Sequence, residues 1–137
     1  MKKLILLCFI LISSCALGQK YFFSRIDIFE NLNDTTFRTN NTKGEINFYK
    51  TETLKCVDVV SYEVKMWSQL AIEAIHKEAL FKDSLIKIYK GYDRRGGMKV
   101  LLTFLIWNNT LISLGVNDGK TLLIFQFDEK KVIEGSL

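Results

Sequence analysis

Proline is absent from all 137 residues, and histidine occurs once, at position 76. Without proline the chain has no X–Pro bond to set a cis turn and no stiff proline-rich linker. Long apolar runs are also missing. The longest unbroken one, Leu4 to Ile12, has nine residues, against the roughly 20 that a membrane-spanning helix needs. Cysteine is scarce, with Cys8 and Cys15 close to the start and Cys56 alone in the body of the sequence. Internal repeats and low-complexity stretches are lacking, so nothing marks a second domain.

The first eighteen residues have the three zones of a bacterial export leader. Lys2 and Lys3 form a basic start, Leu4 to Ile12 an apolar centre, and Ser13 to Gly18 a mostly small-residue end. Two processing routes fit. Ala16-Leu17-Gly18 suits an ordinary signal peptidase and frees Gln19, whereas Ile12-Ser13-Ser14-Cys15 resembles a lipobox, in which Cys15 is lipidated. The first implies a periplasmic or secreted protein. The second implies an outer-membrane lipoprotein, with membrane contact through Cys15 alone. The expected organisation is a leader over 1–18 and one domain over 19–137.

Loss of Lys2 and Lys3 with the leader leaves 17 basic against 15 acidic residues. So even a balance, spread along the chain, argues against nucleic-acid binding. With Cys8 and Cys15 assigned to the leader, Cys56 cannot form an intramolecular disulfide. Among Val57, Val59 and Val60 it reads as a small buried apolar side chain. Neither His76 and Cys56 together nor any glycine spacing makes a zinc or nucleotide motif, and no cofactor is implied.

Tyr21 to Phe29 fits a strand or a short helix equally well. Thr35 to Thr39 and Glu45 to Lys50 flank a polar loop, Asn40 to Gly44, and suggest a hairpin; Leu54 to Val60 reads as another strand. Between Tyr62 and Lys82, Val64, Trp67, Leu70, Ala71, Ala74, Ile75 and Ala79 recur at intervals of mostly three and four, which predicts a long helix. From Ser84 the period is two. Leu85–Lys90, Met98–Trp107, Thr110–Val116 and Lys120–Phe127 read as an antiparallel meander, with tight turns at Asn108-Asn109 and Asp118-Gly119. Two-residue turns at both places put Leu101, Leu105, Ile112, Leu114, Val116, Leu123 and Phe125 on one core face. The other face also carries Val100, Leu102, Phe104 and Ile106, so it too needs cover.

The expected fold is therefore α+β, one helix packed across a four-stranded meander with an N-terminal hairpin. That order of elements over residues 62–127 resembles cystatin-like and NTF2-like layouts. The NTF2-like resemblance implies a small pocket enzyme working through carboxylates. The residues themselves favour a non-catalytic binding domain that takes a small apolar ligand, another protein or a second copy of itself. A secreted inhibitor or immunity protein is the remaining alternative. The polar loop Asp93-Arg94-Arg95-Gly96-Gly97 is a candidate anion site through Arg94 and Arg95. His76 is expected on the solvent side of the helix, beside Lys77 and Glu78.

Overall fold

A computed structural model describes residues 19–33, 35–63 and 67–132. Residues 1–18, the expected leader with Cys15, lie outside the described residues. Nine strands follow in order: β1 (Gln19–Phe29), β2 (Arg38–Asn40), β3 (Gly44–Lys50), β4 (Lys55–Ser61), β5 (Trp67–Phe81), β6 (Ser84–Asp93), β7 (Lys99–Trp107), β8 (Thr110–Asn117) and β9 (Leu122–Val132). No helix occurs among the described residues. From β3 to β9 each strand pairs antiparallel with the next, and β1 closes the circle by pairing with both β3 and β9. The result is an eight-stranded antiparallel barrel, with the short β2 as a ninth strand beside β1.

This overturns the α+β expectation. The segment read as a long helix is β5, and the reason is local. Bulges fall between Ile72 and Ala74 and between Ile75 and Lys77. Each bulge adds one residue, so an interval of two along one face becomes three. Leu70, Ile72, Ile75, Glu78 and Leu80 thus lie opposite Asp93, Gly91, Tyr89, Lys87 and Leu85 of β6. Of the expected helical stripe only Leu70 and Ile75 lie on that face, while Ala71, Ala74 and Ala79 lie on the other, opposite Tyr92, Lys90 and Ile86, so the stripe combined the two faces of a bulged strand. Helix propensities differ by at most about 0.7 kcal/mol per ordinary residue. Burying a large apolar side chain such as Leu70, which β4 and β6 enclose from both sides, contributes about 1.5–3 kcal/mol. Pairing therefore decides the conformation.

The expected N-terminal hairpin is also absent. β2 and β3 do not pair with each other. Both lie along one edge of β1, β2 beside Ile26 to Ile28 and β3 beside Gln19 to Phe23. Between them Thr42 is buried and its hydroxyl meets that of Ser61 at 3.1 Å. Gly44 passes so close to its neighbours that a Cβ there would sit 2.2 Å from the Val60 carbonyl oxygen and 2.3 Å from the Phe23 ring.

The four meander strands are present as β6 to β9. The Asn108-Asn109 turn has both residues at positive φ (49° and 59°) and sets Trp107 opposite Thr110, as a two-residue hairpin of this type requires. Two residues along β7 the expected register fails. Ile106 faces Leu111 but Leu105 faces Ser113, so Ile112 is a bulge. The second turn is longer than expected, with Asn117 opposite Leu122. On β7 the inward face is therefore Val100, Leu102, Phe104 and Ile106, all buried, while Leu101 and Leu105 are only partly buried. β8 and β9 keep Leu114, Val116, Leu123 and Phe125 on the same side as Phe104 and Leu102. The cover that β7 needed comes from the opposite wall of the barrel.

The seam where the chain closes has its own polar node. Asp27 is buried on β1. Its carboxylate accepts hydrogen bonds from Arg25 (Nε to Oδ1, 3.0 Å; Nη2 to Oδ2, 2.8 Å), from Thr39 Oγ1 on β2 (2.9 Å) and from Gln126 Nε2 on β9 (3.1 Å). One carboxylate thus ties three strands together. A bulge at Ser24 lets both Tyr21 and Phe23 on one side of it and Ile26 and Ile28 on the other enter the core.

Candidate functional site

The two ends of the barrel are filled differently. Toward the end that carries the Asn108-Asn109 turn, rings occupy the interior. Tyr21 stacks on Phe127 (centroids 4.8 Å apart) and meets Phe48 edge-on (5.5 Å). Phe104 then contacts Phe48 (5.7 Å) and Tyr89 (5.2 Å). Toward the other end the inward residues are smaller, with Val59 on β4, Leu70 on β5, Val100 on β7, Val116 on β8 and Leu123 on β9. They leave a cavity of about 290 Å³. Phe125 also lines it, and its ring packs on Phe23 at 5.0 Å, which links the cavity to the packed half. Eight-stranded barrels have just enough interior for side chains or for one small ligand. Here the change from rings to valines sets where one gives way to the other.

Polar groups enter only at the rim, where Ser68, Asp93, Asp118 and Thr121 join Met98. Both aspartates are fixed by their own loops. The Asp93 main chain bonds to Met98 O (2.8 Å) and accepts from the Gly97 N–H (2.7 Å), with Gly97 at φ +73°. Its Oδ1 accepts the Arg95 N–H (2.9 Å). Asp118 Oδ1 accepts the N–H groups of Thr121 (2.8 Å) and Lys120 (2.9 Å), and Gly119 at φ +94° allows the tight path between β8 and β9. The backbone donors of Thr121 and then Lys120 hold the Asp118 carboxyl below the usual carboxylate range, so it is ionised at neutral pH. Asp118 is thus a fixed acceptor and not a proton donor.

Arg94 and Arg95, the candidate anion pair, are placed differently from each other. Arg94 lies across the outer wall. Its Nη1 donates to Tyr49 Oη (2.8 Å), Tyr49 Oη donates to Asp58 Oδ1 (3.0 Å), and the Arg94 N–H bonds to Gln69 O (2.8 Å). Burial and then the Asp58 carboxylate push the Tyr49 phenol above its ordinary value. Arg95 is exposed, and its backbone braces Asp93. Cys56 is a buried free thiol, opposite Tyr49 on β3 and Ala71 on β5. His76 is exposed at the second bulge of β5. Among the described residues no three His, Cys, Asp or Glu side chains converge as a metal site.

None of the cavity residues stands out in the sequence as a site. Each valine or leucine reads as core, and Asp93 and Asp118 read as turn residues. The one available signal was the contrast between an aromatic-rich start (Tyr21, Phe23) and the valines at positions 59, 100 and 116, which acquires meaning only once the strands are aligned. The sequence matches no protein-family model, and no curated protein matches it significantly.

Proposed function

We propose that the protein is a non-catalytic binding module that holds a small apolar ligand in the open end of its barrel. The observation that carries this reading is the cavity of about 290 Å³, apolar in its walls and polar only at the rim, which is the general character of small-molecule sites. An engineered apolar cavity of roughly 150 Å³ takes up benzene, so this one has room for a molecule about twice that size. The interior is apolar, while the strands carry charges outward at Arg25, Glu45 and Lys90. Membrane barrels have the reverse arrangement, so the pattern supports a barrel that works in water. Together with the leader-like first eighteen residues, it supports an exported ligand carrier of the bacterial envelope.

The test uses N-phenyl-1-naphthylamine, a neutral probe whose fluorescence rises in apolar surroundings. Wild-type protein should bind it saturably. Val116→Phe, which fills the cavity from β8, should weaken binding at least about tenfold while the circular dichroism spectrum stays that of the wild type. Binding that is absent in the wild type, or unchanged in a folded Val116→Phe variant, would count against the proposal.

A further inference from the structure

We infer that the ligand of this cavity is an amphiphile with a cationic head, its tail among the valines and its ammonium group at the rim between Asp93 and Asp118. The inference rests on the small-ligand reading above and adds the chemistry of the head group.

The charged side chains that line the cavity have one sign. Asp93 and Asp118 line the cavity, and no lysine, arginine or histidine does. Arg95 and Lys120 belong to the same two loops and are exposed, as Asp118 itself is, and Lys120 acts on the Asp118 charge, but neither base lines the cavity. The two carboxylates are also fixed in place before any ligand arrives. Every hydrogen bond that braces them from the loops ends on Oδ1, and a carboxylate can accept about four such bonds over its two oxygens. A donor approaching the rim therefore finds acceptor capacity on side chains whose rotamers are already set, which lowers the ordering cost of binding.

A cation is the head group that gains most from this arrangement. Hydrogen bonds between an ionised donor and an ionised acceptor are roughly twice as strong as neutral ones. An anionic head would meet two like charges at the mouth of the chamber. Ser68 and Thr121 add neutral hydroxyls that can orient an ammonium without changing its preference. Scaling from the benzene-sized case gives room for about twelve carbon atoms, enough for a tail of roughly eight to ten carbons with space left beneath the head group. An alkylamine of that length matches both parts of the site.

Isothermal titration calorimetry with three ligands that share one tail tests this: octylamine, 1-octanol and octanoate. Octylamine should bind at least about tenfold more tightly than octanol, and octanoate most weakly. Asp93→Asn with Asp118→Asn keeps an oxygen acceptor at each Oδ1 position and so keeps the loops. It should remove the preference for the amine, so that octylamine and octanol bind within about twofold of each other. If that double variant fails to fold, wild-type protein in increasing sodium chloride gives the same reading. The preference for the amine should shrink as salt rises to about 0.5 M, and a preference indifferent to salt overturns the inference. Octanol binding as well as octylamine, or octanoate binding best, overturns the head-group inference and leaves the cavity reading standing. If none of the three binds, the cavity reading fails and takes this inference with it.

Discussion

Among the described residues Asp27 is the buried carboxylate, and its surroundings make a definite statement about acid. The paired guanidinium of Arg25 is the largest influence on it. Together with donors from Thr39 and Gln126 it holds the Asp27 carboxyl below its ordinary value, against the opposing effect of burial. A carboxylate with a lowered folded-state pKa contributes stability that is fully present above the unfolded value, near 4. That contribution is lost as pH falls through the folded value. Asp27→Asn should therefore destabilise the protein at pH 7 and flatten the acid limb of its stability curve, as measured by urea unfolding between pH 7 and 3. An unchanged acid limb in the variant would mean that other carboxylates govern the transition. Only Arg25, two residues away, is a local partner; the donors from β2 and β9 stand 12 and 99 residues from Asp27, beyond the reach of any local pattern.

Between residue and molecule lies β5, the element whose structure departs furthest from its sequence pattern. The apolar positions of this strand were legible, but the two bulges were not. A single inserted residue leaves no chemical mark in a run of Ala, Ile, Glu and Lys, all acceptable in a helix. The same blindness affected β8, where Ile112 is one aliphatic residue among several. Turns fared better, because Asn108 and Asn109 announce a positive-φ backbone directly. Beyond Ile72, β5 keeps its ladder to β6 and has no partner on its other edge among the described residues. Bulges and charges at Glu73, Lys77 and Glu78 are the usual means of blunting such an edge. Leu80 and Phe81 near the turn remain 80% and 65% exposed. Backbone amides from Ala74 to Phe81 should consequently exchange with solvent at least about tenfold faster than those from Val100 to Ile106, which sit between two partners. Hydrogen exchange followed by mass spectrometry reads both segments in one experiment. Equal protection would mean that something covers the β5 edge.

At the scale of the whole molecule, alternation and turn chemistry announced most of the strands, but closure was invisible. No local pattern says that β1 will lie against β9, since Phe23 meets Phe127 and Ile28 meets Leu123 across some hundred residues. The cavity was hidden for the same reason, as its wall comes from five separate strands that acquire a common interior only when the circle is complete. Closure also makes stability collective. Truncation before Leu122 removes β9, strips one edge of β1 and one edge of β8, and exposes the apolar interior. Such a chain should show no cooperative thermal transition by circular dichroism. A truncated protein that still melts sharply would show that an open sheet suffices.

The β1–β9 ladder also sets a timetable. The first described strand waits for the last before it is paired on both edges, so the barrel cannot close while its chain is still being made. Folds dominated by such distant contacts form slowly, over milliseconds to seconds. For a protein that crosses a membrane as an extended thread, as the proposed leader requires, this delay is useful. In the exported protein proposed above, the chain would stay pliable during passage and commit to its final shape on the far side.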